Sequence, residues 1–294
     1  PTRRSSDLAR AAADYETAIA DMGADPALGQ MRARLALADL HHRLARREDW
    51  LATTDWFFAF YDPNQDEAYA AHEVYCIGAG AIVGEDYRNG FPVMALAQEK
   101  DETFLPAYVR LGEIYAEKYE YPNAAREFRD ALKLNPRQPA AHVGLGGVFI
   151  HERNFSEVET HAAKALETNP RYVPAMLLRA LVDFLDERDE AALAHLEAAA
   201  RINPRDPEML SFRAVLAILR EDQAAFEAIQ KELLAAYDVL PSPDDAAQAR
   251  VHQNGLARLY VDISHALVHR RSEELALPWA RKAVEADPEN AQAH

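Results

Sequence analysis

One cysteine, Cys76, stands in 294 residues, so no disulfide can form within the chain. That leaves the compartment open, since secreted proteins also occur without disulfides; the cytoplasm is the default expectation, and a signal peptide ahead of Pro1 is compatible with it. No apolar run approaches the roughly 18 residues that a membrane helix needs, so no membrane insertion is expected. Basic residues are scarce: 32 Lys and Arg face 48 Asp and Glu, a formal net charge of −16. Nucleic acids and anionic membrane surfaces both need a basic partner, which excludes them as main ligands. An acidic surface suits solubility or a basic partner. What the chain does have is apolar mass, 49% of residues, enough for a sizeable core.

That mass is periodic. "ALKLNP" ends at Pro136, "ALETNP" at Pro170 and "AARINP" at Pro204, each 34 residues after the last. Within residues 105–138, Tyr108, Leu111 and Tyr115 recur at helical spacing and share one face, with Gly112 beside them. Tyr121-Pro122-Asn123 reads as a turn, Ala124, Phe128 and Ala131 as the inner face of a second helix, and Asn135-Pro136 as its stop. The unit is a helical hairpin in which small residues allow close approach and large ones fill the gaps.

These residues resemble the tetratricopeptide repeat: large side chains at Tyr108, Leu111, Tyr115 and Phe128, small ones at Gly112, Ala124 and Ala131, and Pro136 at the end. Residues 139–172 repeat the pattern through His142, Leu145, Gly146, Phe149, Val158, Ala162, Ala165 and Pro170. Residues 71–104 follow it with Glu102 in place of proline, and 173–206 more weakly, because Arg179 and Asp183 occupy apolar places. Residues 207–240 drift, and 257–290 return to the pattern. The resemblance implies an all-α fold, an α-solenoid of stacked antiparallel helix hairpins forming a right-handed superhelix. About seven helix pairs are expected, at 27–66, 71–104, 105–138, 139–172, 173–206, 207–240 and 257–290. They make one solenoid over 9–294, with half-repeats at both ends and an insertion at 241–256. There, "LPSPDD" should cap a helix that extends the last pair backwards to about Asp244; the alternative is a short separate helix broken near Asn254-Gly255. Residues 1–8, "PTRRSSDL", are similar to a translated sequencing adapter and are expected to be a non-native leader, so that the chain is a fragment of a larger, bacterial protein.

Other motifs have weaker claims. His72-Glu73-Val74-Tyr75-Cys76 mimics a zinc-protease signature, with no third ligand in sight. Gly78, Gly80 and Gly84 lack the spacing and the preceding strand of a dinucleotide loop. Asp62, Asn64 and Asp66 mimic a calcium loop, but Glu67 stands where glycine is needed. No catalytic, metal or cofactor site is expected, and no enzyme activity.

The resemblance implies a scaffold that binds a peptide or partner helix in a concave groove lined by first helices. The groove places map to Tyr75, Ile82, Val109, Glu113, Val143, Ile150, Leu177, Leu181 and Phe184. An apolar lining with Glu113 among it suits an amphipathic, mildly basic protein or peptide. The same side chains can instead pack between neighbouring first helices. A second functional reading is an accessory repeat region ahead of a zinc-peptidase-like domain, which "GEIYAEKYEYPNAAREFRDALKLNP" resembles.

Overall fold

The computed structural model describes residues 3–21, 28–44, 46–238, 245–270 and 273–288. They form fifteen α-helices and no strand. The helices are α1 (Arg3–Asp21), α2 (Leu28–Arg43), α3 (Arg47–Phe60), α4 (Ala71–Val83), α5 (Tyr87–Lys100), α6 (Leu105–Glu117), α7 (Tyr121–Leu134) and α8 (Pro139–His151). There follow α9 (Phe155–Thr168), α10 (Val173–Leu185), α11 (Asp189–Ile202), α12 (Pro207–Leu219), α13 (Gln223–Tyr237), α14 (Asp245–His269) and α15 (Glu273–Ala286). A 3-10 segment, Pro63–Ala68, follows α3. Consecutive helices pack as hairpins: α4 on α5, α6 on α7, α8 on α9, α12 on α13, α14 on α15.

The Asn-Pro period has a local cause. Asn135, Asn169 and Asn203 end their helices with φ between −140° and −135°, the extended backbone that a following proline favours. Each side-chain oxygen accepts from the backbone N–H two residues on, at 3.0, 3.0 and 3.4 Å. The asparagine thus stops one helix and starts the turn into the next. Asp101 does the same for α5, accepting from the Thr103 N–H at 2.9 Å, so that repeat needs no proline.

The turn inside each hairpin is equally regular. Glu85, Tyr119, Arg153, Glu187 and Glu221, spaced by 34, have φ of 67°, 61°, 54°, 60° and 56°. In each case the next residue's N–H closes back onto the carbonyl five residues before it, for example Glu120 to Tyr115 at 2.8 Å and Arg188 to Asp183 at 2.8 Å. This is a Schellman closure, and glycine normally occupies its left-handed position. None of the five is glycine. The turn of the third pair is therefore Lys118–Glu120. Tyr121-Pro122 opens α7 instead of forming the turn, because proline suits the first helical positions, where its missing N–H would have no partner anyway. Replacing Glu187, whose side chain has no partner among the described residues, by glycine should stabilise the protein by about 1 kcal/mol or somewhat less: relief of left-handed strain exceeds the added chain entropy. Urea midpoints will show it; a lowered midpoint would mean that the strain is absent.

The chain divides into two compact units where the sequence reading expects one array. One comprises Ala11–His42 and Glu48–Leu178, the other Pro1–Arg10, Arg43–Arg47 and Arg179–His294. The cut falls inside α10, where Arg179 and Asp183 replace apolar residues of the repeat. Asp183 forms an ion pair with Arg188 at 2.7 Å and lies 3.4 Å from His195 Nε2. In the first unit, the α7 ring of Phe128 is fully buried among Val109, Ala124, Ala125, Ala131, Ala141, Leu145 and Val148. A Cβ on Gly112 would lie 2.6 Å from that ring, and one on Gly144 would overlap it. Two glycines on neighbouring first helices thus make the slot that one aromatic fills. In the second unit, α14 is one unbroken helix from Asp245 through Asn254-Gly255, and Tyr237 lies over Gly255. Of the expected insertion, residues 241–244 lie outside the described residues. So do Pro1 and Thr2 and the side chains of 3–8; the backbone from Arg3 is helical.

Candidate functional site

First helices supply the expected groove, and the structure sorts its nine residues into two groups. Ile82, Val109, Ile150, Leu177 and Phe184 are buried. Ile82 packs with Ala79, Met94, Leu111 and Ile114, and Val109 with Ala141 and Leu145. Phe184 lies edge-on to Phe212 at 5.2 Å, with the Arg270 guanidinium 4.6 Å from its centroid. These five offer no apolar lining to a ligand. Successive first helices approach closely because of their small residues, so large side chains at these places fill the helix–helix seam. Tyr75, Glu113, Val143 and Leu181 remain half-buried.

Two of these four, Tyr75 and Glu113, meet around a residue the groove places omit, Arg110. Its Nη1 donates to Glu113 Oε2 at 3.0 Å and lies 3.6 Å from Glu117 Oε1. Burial acts to lower the Arg110 pKa, but Glu113 and Glu117 outweigh it and hold the guanidinium above its ordinary value. Burial pushes Tyr75 up to about 12, with Arg110 opposing and Glu113 and Asp39 reinforcing. Tyr172 is raised by burial and by Glu113. Groups from α2, α4, α6 and the segment before α10 thus converge within electrostatic reach. Glu113 and Glu117 share the Arg110 guanidinium, Asp39 acts on it from α2, and Lys118 also acts on Glu117. Glu117 is itself raised, by burial first, with Arg110 opposing and Glu113 adding to it. The sequence signal for Arg110 was its place three residues before Glu113, one helical turn away.

The second unit has its own acidic wall. Asp206 caps α12, accepting from the Met209 N–H at 3.2 Å, and lies 3.6 Å from Arg43. Glu208 is exposed beside them; crowding by the fold, then Asp206 and Asp262, push its carboxyl upward and Arg43 opposes. Asp262 is raised by burial against the opposing hydrogen bond from Ser211.

The motifs with weaker claims become structural. Cys76 is buried, and burial raises its thiol to about 11. A Cβ on Gly78 would lie 2.7 Å from the Met94 amide nitrogen, so that glycine lets α4 and α5 touch. Asp62 Oδ1 accepts from both nitrogens of Asn64 at 3.0 Å. Among the described residues no three His, Cys, Asp or Glu side chains could hold a metal ion. No described helix is long and apolar enough to cross a membrane.

Stacked helix hairpins, a 34-residue period in both sequence and backbone, and half-buried polar groups on the first helices define a class. Residues 105–138 match the family model for the tetratricopeptide repeat, so the α6–α7 hairpin is one such repeat. A crystal structure of PilW, a widely conserved type IV pilus biogenesis factor, matches with a TM-score of 0.52 at 17% identity, over 76% of this chain and 96% of that one. A tetratricopeptide repeat protein from Parabacteroides merdae gives 0.54 at 15%, over 90% and 95%. A chain of the APC/C hetero-tetramer Cut9–Hcn1 gives 0.55 at 15%, over 95% and 57%. At these identities the likeness is one of fold. A search of curated proteins returned no match.

Proposed function

We propose that the chain is a protein-interaction scaffold, and that the first unit receives a basic, amphipathic partner segment on the wall around Arg110. The observation that carries this reading is the polar cluster itself. Two carboxylates of α6, Glu113 and Glu117, share one guanidinium, and Tyr75 and Tyr172 offer aromatic surface beside them. A Lys or Arg of the partner would pair with the two glutamates at a site less screened than open surface. Val143 adds a half-exposed apolar contact on α8. The contact is thus amphipathic but mainly polar, with the apolar share smaller than the nine groove places suggested. Catalysis forms no part of the proposal.

Panning a library of amphipathic helical peptides against the protein, then measuring the selected peptides by calorimetry, tests it. Selected sequences should be enriched in Lys and Arg. The double substitution Glu113→Gln and Glu117→Gln should weaken them about fivefold to twentyfold, as loss of two partly buried ion pairs implies. Selection without a basic preference, or affinity unmoved by the double substitution, would remove this wall as the site.

A further inference from the structure

Away from that wall, two histidines floor a second site. His142 on α8 and His161 on α9 are both buried, with their Nδ1 atoms 2.9 Å apart. His142 Nε2 lies 3.0 Å from the Pro136 carbonyl. A carbonyl only accepts, so this nitrogen carries a hydrogen. In the neutral pair the His142 Nδ1 is then the acceptor and the His161 Nδ1 the donor. His161 Nε2 is left bare, with no hydrogen-bond partner among the described residues. Phe149 stacks on the same ring at 5.6 Å and fixes its plane.

The pair opens into a cleft of about 550 Å³, also lined by Arg137, Lys164, Glu167 and Thr168. The cleft is mainly basic in a protein of net charge −16. Arg137 and Lys164 meet no carboxylate within ion-pair distance among the described residues. Arg129 on α7 and Lys164 on α9 both act on His161, whereas Glu167 on α9 is the acid that acts on His142. Such surroundings repel a metal cation and attract an anion.

We propose that this cleft binds a carboxylate presented by an acidic segment of a partner protein, held by Arg137 and Lys164, with His161 taking up one proton from solvent at Nε2 to donate to it. The choice of a protein partner rests on the scaffold reading. Uptake at Nε2 leaves the Nδ1 link to His142 intact, so the pair accepts one proton without breaking. The groups facing the pair are Arg129 on α7, Arg137 in the turn, Lys164 and Glu167 on α9, and each ring on the other. Their net positive charge disfavours that proton until a carboxylate arrives, so proton uptake should accompany binding.

Calorimetry near pH 6, in two buffers of different ionisation heat, tests this with an acetylated, amidated penta-glutamate peptide and its penta-glutamine counterpart. The glutamate peptide should bind with net proton uptake and the glutamine peptide should not bind. Arg137 and Lys164 are exposed, so the double variant Arg137→Gln, Lys164→Gln should fold normally and lose at least about tenfold in affinity. His161→Gln should abolish the proton uptake. Equal binding by the double variant, binding of the glutamine peptide, or no binding of the glutamate peptide at millimolar concentration overturns the proposal. Tighter binding of inorganic phosphate than of the peptide overturns the choice of carboxylate. Glu113→Gln should leave the peptide's affinity unchanged; a loss there would place the peptide on the Arg110 wall and overturn the cleft. Failure of the Arg110 wall to select basic peptides would leave this result untouched.

Discussion

Phe128→Ala is expected to destabilise the first unit by about 3–5 kcal/mol, the range for deleting a fully buried aromatic side chain. The ring fills the slot between Gly112 on α6 and Gly144 on α8, so its loss opens a cavity shared by three helices. The neighbours are mostly alanine, which cannot swing in to refill it. A double-mutant cycle sharpens the test. In the wild type, Gly112→Ala should be destabilising, because its Cβ would meet the ring at 2.6 Å. Combined with Phe128→Ala, the same methyl enters the cavity and should return part of the loss. The two effects should therefore be strongly non-additive. Urea denaturation of the four proteins measures this, and additive losses would show that ring and glycine are not one packing unit.

Acid should unfold the same unit through His161. Burial first, then the charges of His142, Lys164 and Arg129, lower its pKa to about 4 from an ordinary 6.5. The unfolded chain then binds more protons than the native one between those values. Stability is full above about pH 6.5 and falls as the pH drops, by about 2 kcal/mol at pH 5 and about 3 kcal/mol by pH 4. His142, lowered by burial with the Pro136 carbonyl opposing, acts in the same direction. Native carboxylates also titrate in acid, so the readout is a difference: the stability lost from pH 7 to pH 5 by wild type, less that lost by His161→Gln. A difference near zero would mean that the folded protein protonates His161 as readily as the unfolded chain does.

Much of the fold was legible because the repeat writes its packing into residue size. Gly112, Ala124, Phe128 and Ala131 have chemistry that only a tight hairpin explains, and the Asn-Pro step carries its own stop signal. The left-handed turns were not legible, because Glu, Tyr and Arg occupy a position that a reader looks for as glycine; only the hydrogen-bond closure behind them enforces it. Tyr121-Pro122 looked like a turn because proline breaks helices in their interior, yet it also starts them. The groove residues were harder still. Periodicity states which face of a helix a side chain is on, but whether a neighbouring helix covers that face depends on an interaxial distance set by small residues on both helices. Ile82 and Val143 therefore read alike in sequence and differ in the structure. Arg110 pairs with Glu113 and Glu117 on its own helix, which the sequence could show, but Asp39 and Tyr75, which make the spot a convergence of several helices, lie far from it along the chain.

The burial of Cys76 has a practical side. A thiol held in the core and shifted to about 11 is almost wholly un-ionised at neutral pH, and the thiolate is the species that reacts with maleimides. The native chain is therefore close to silent toward such reagents without removing any residue. A cysteine introduced at an exposed site such as Arg137, Glu152 or Glu221 becomes the one reactive handle, and two of them make a pair for spin labels or fluorophores. The molecule is in this respect ready-made for spectroscopic distance measurement.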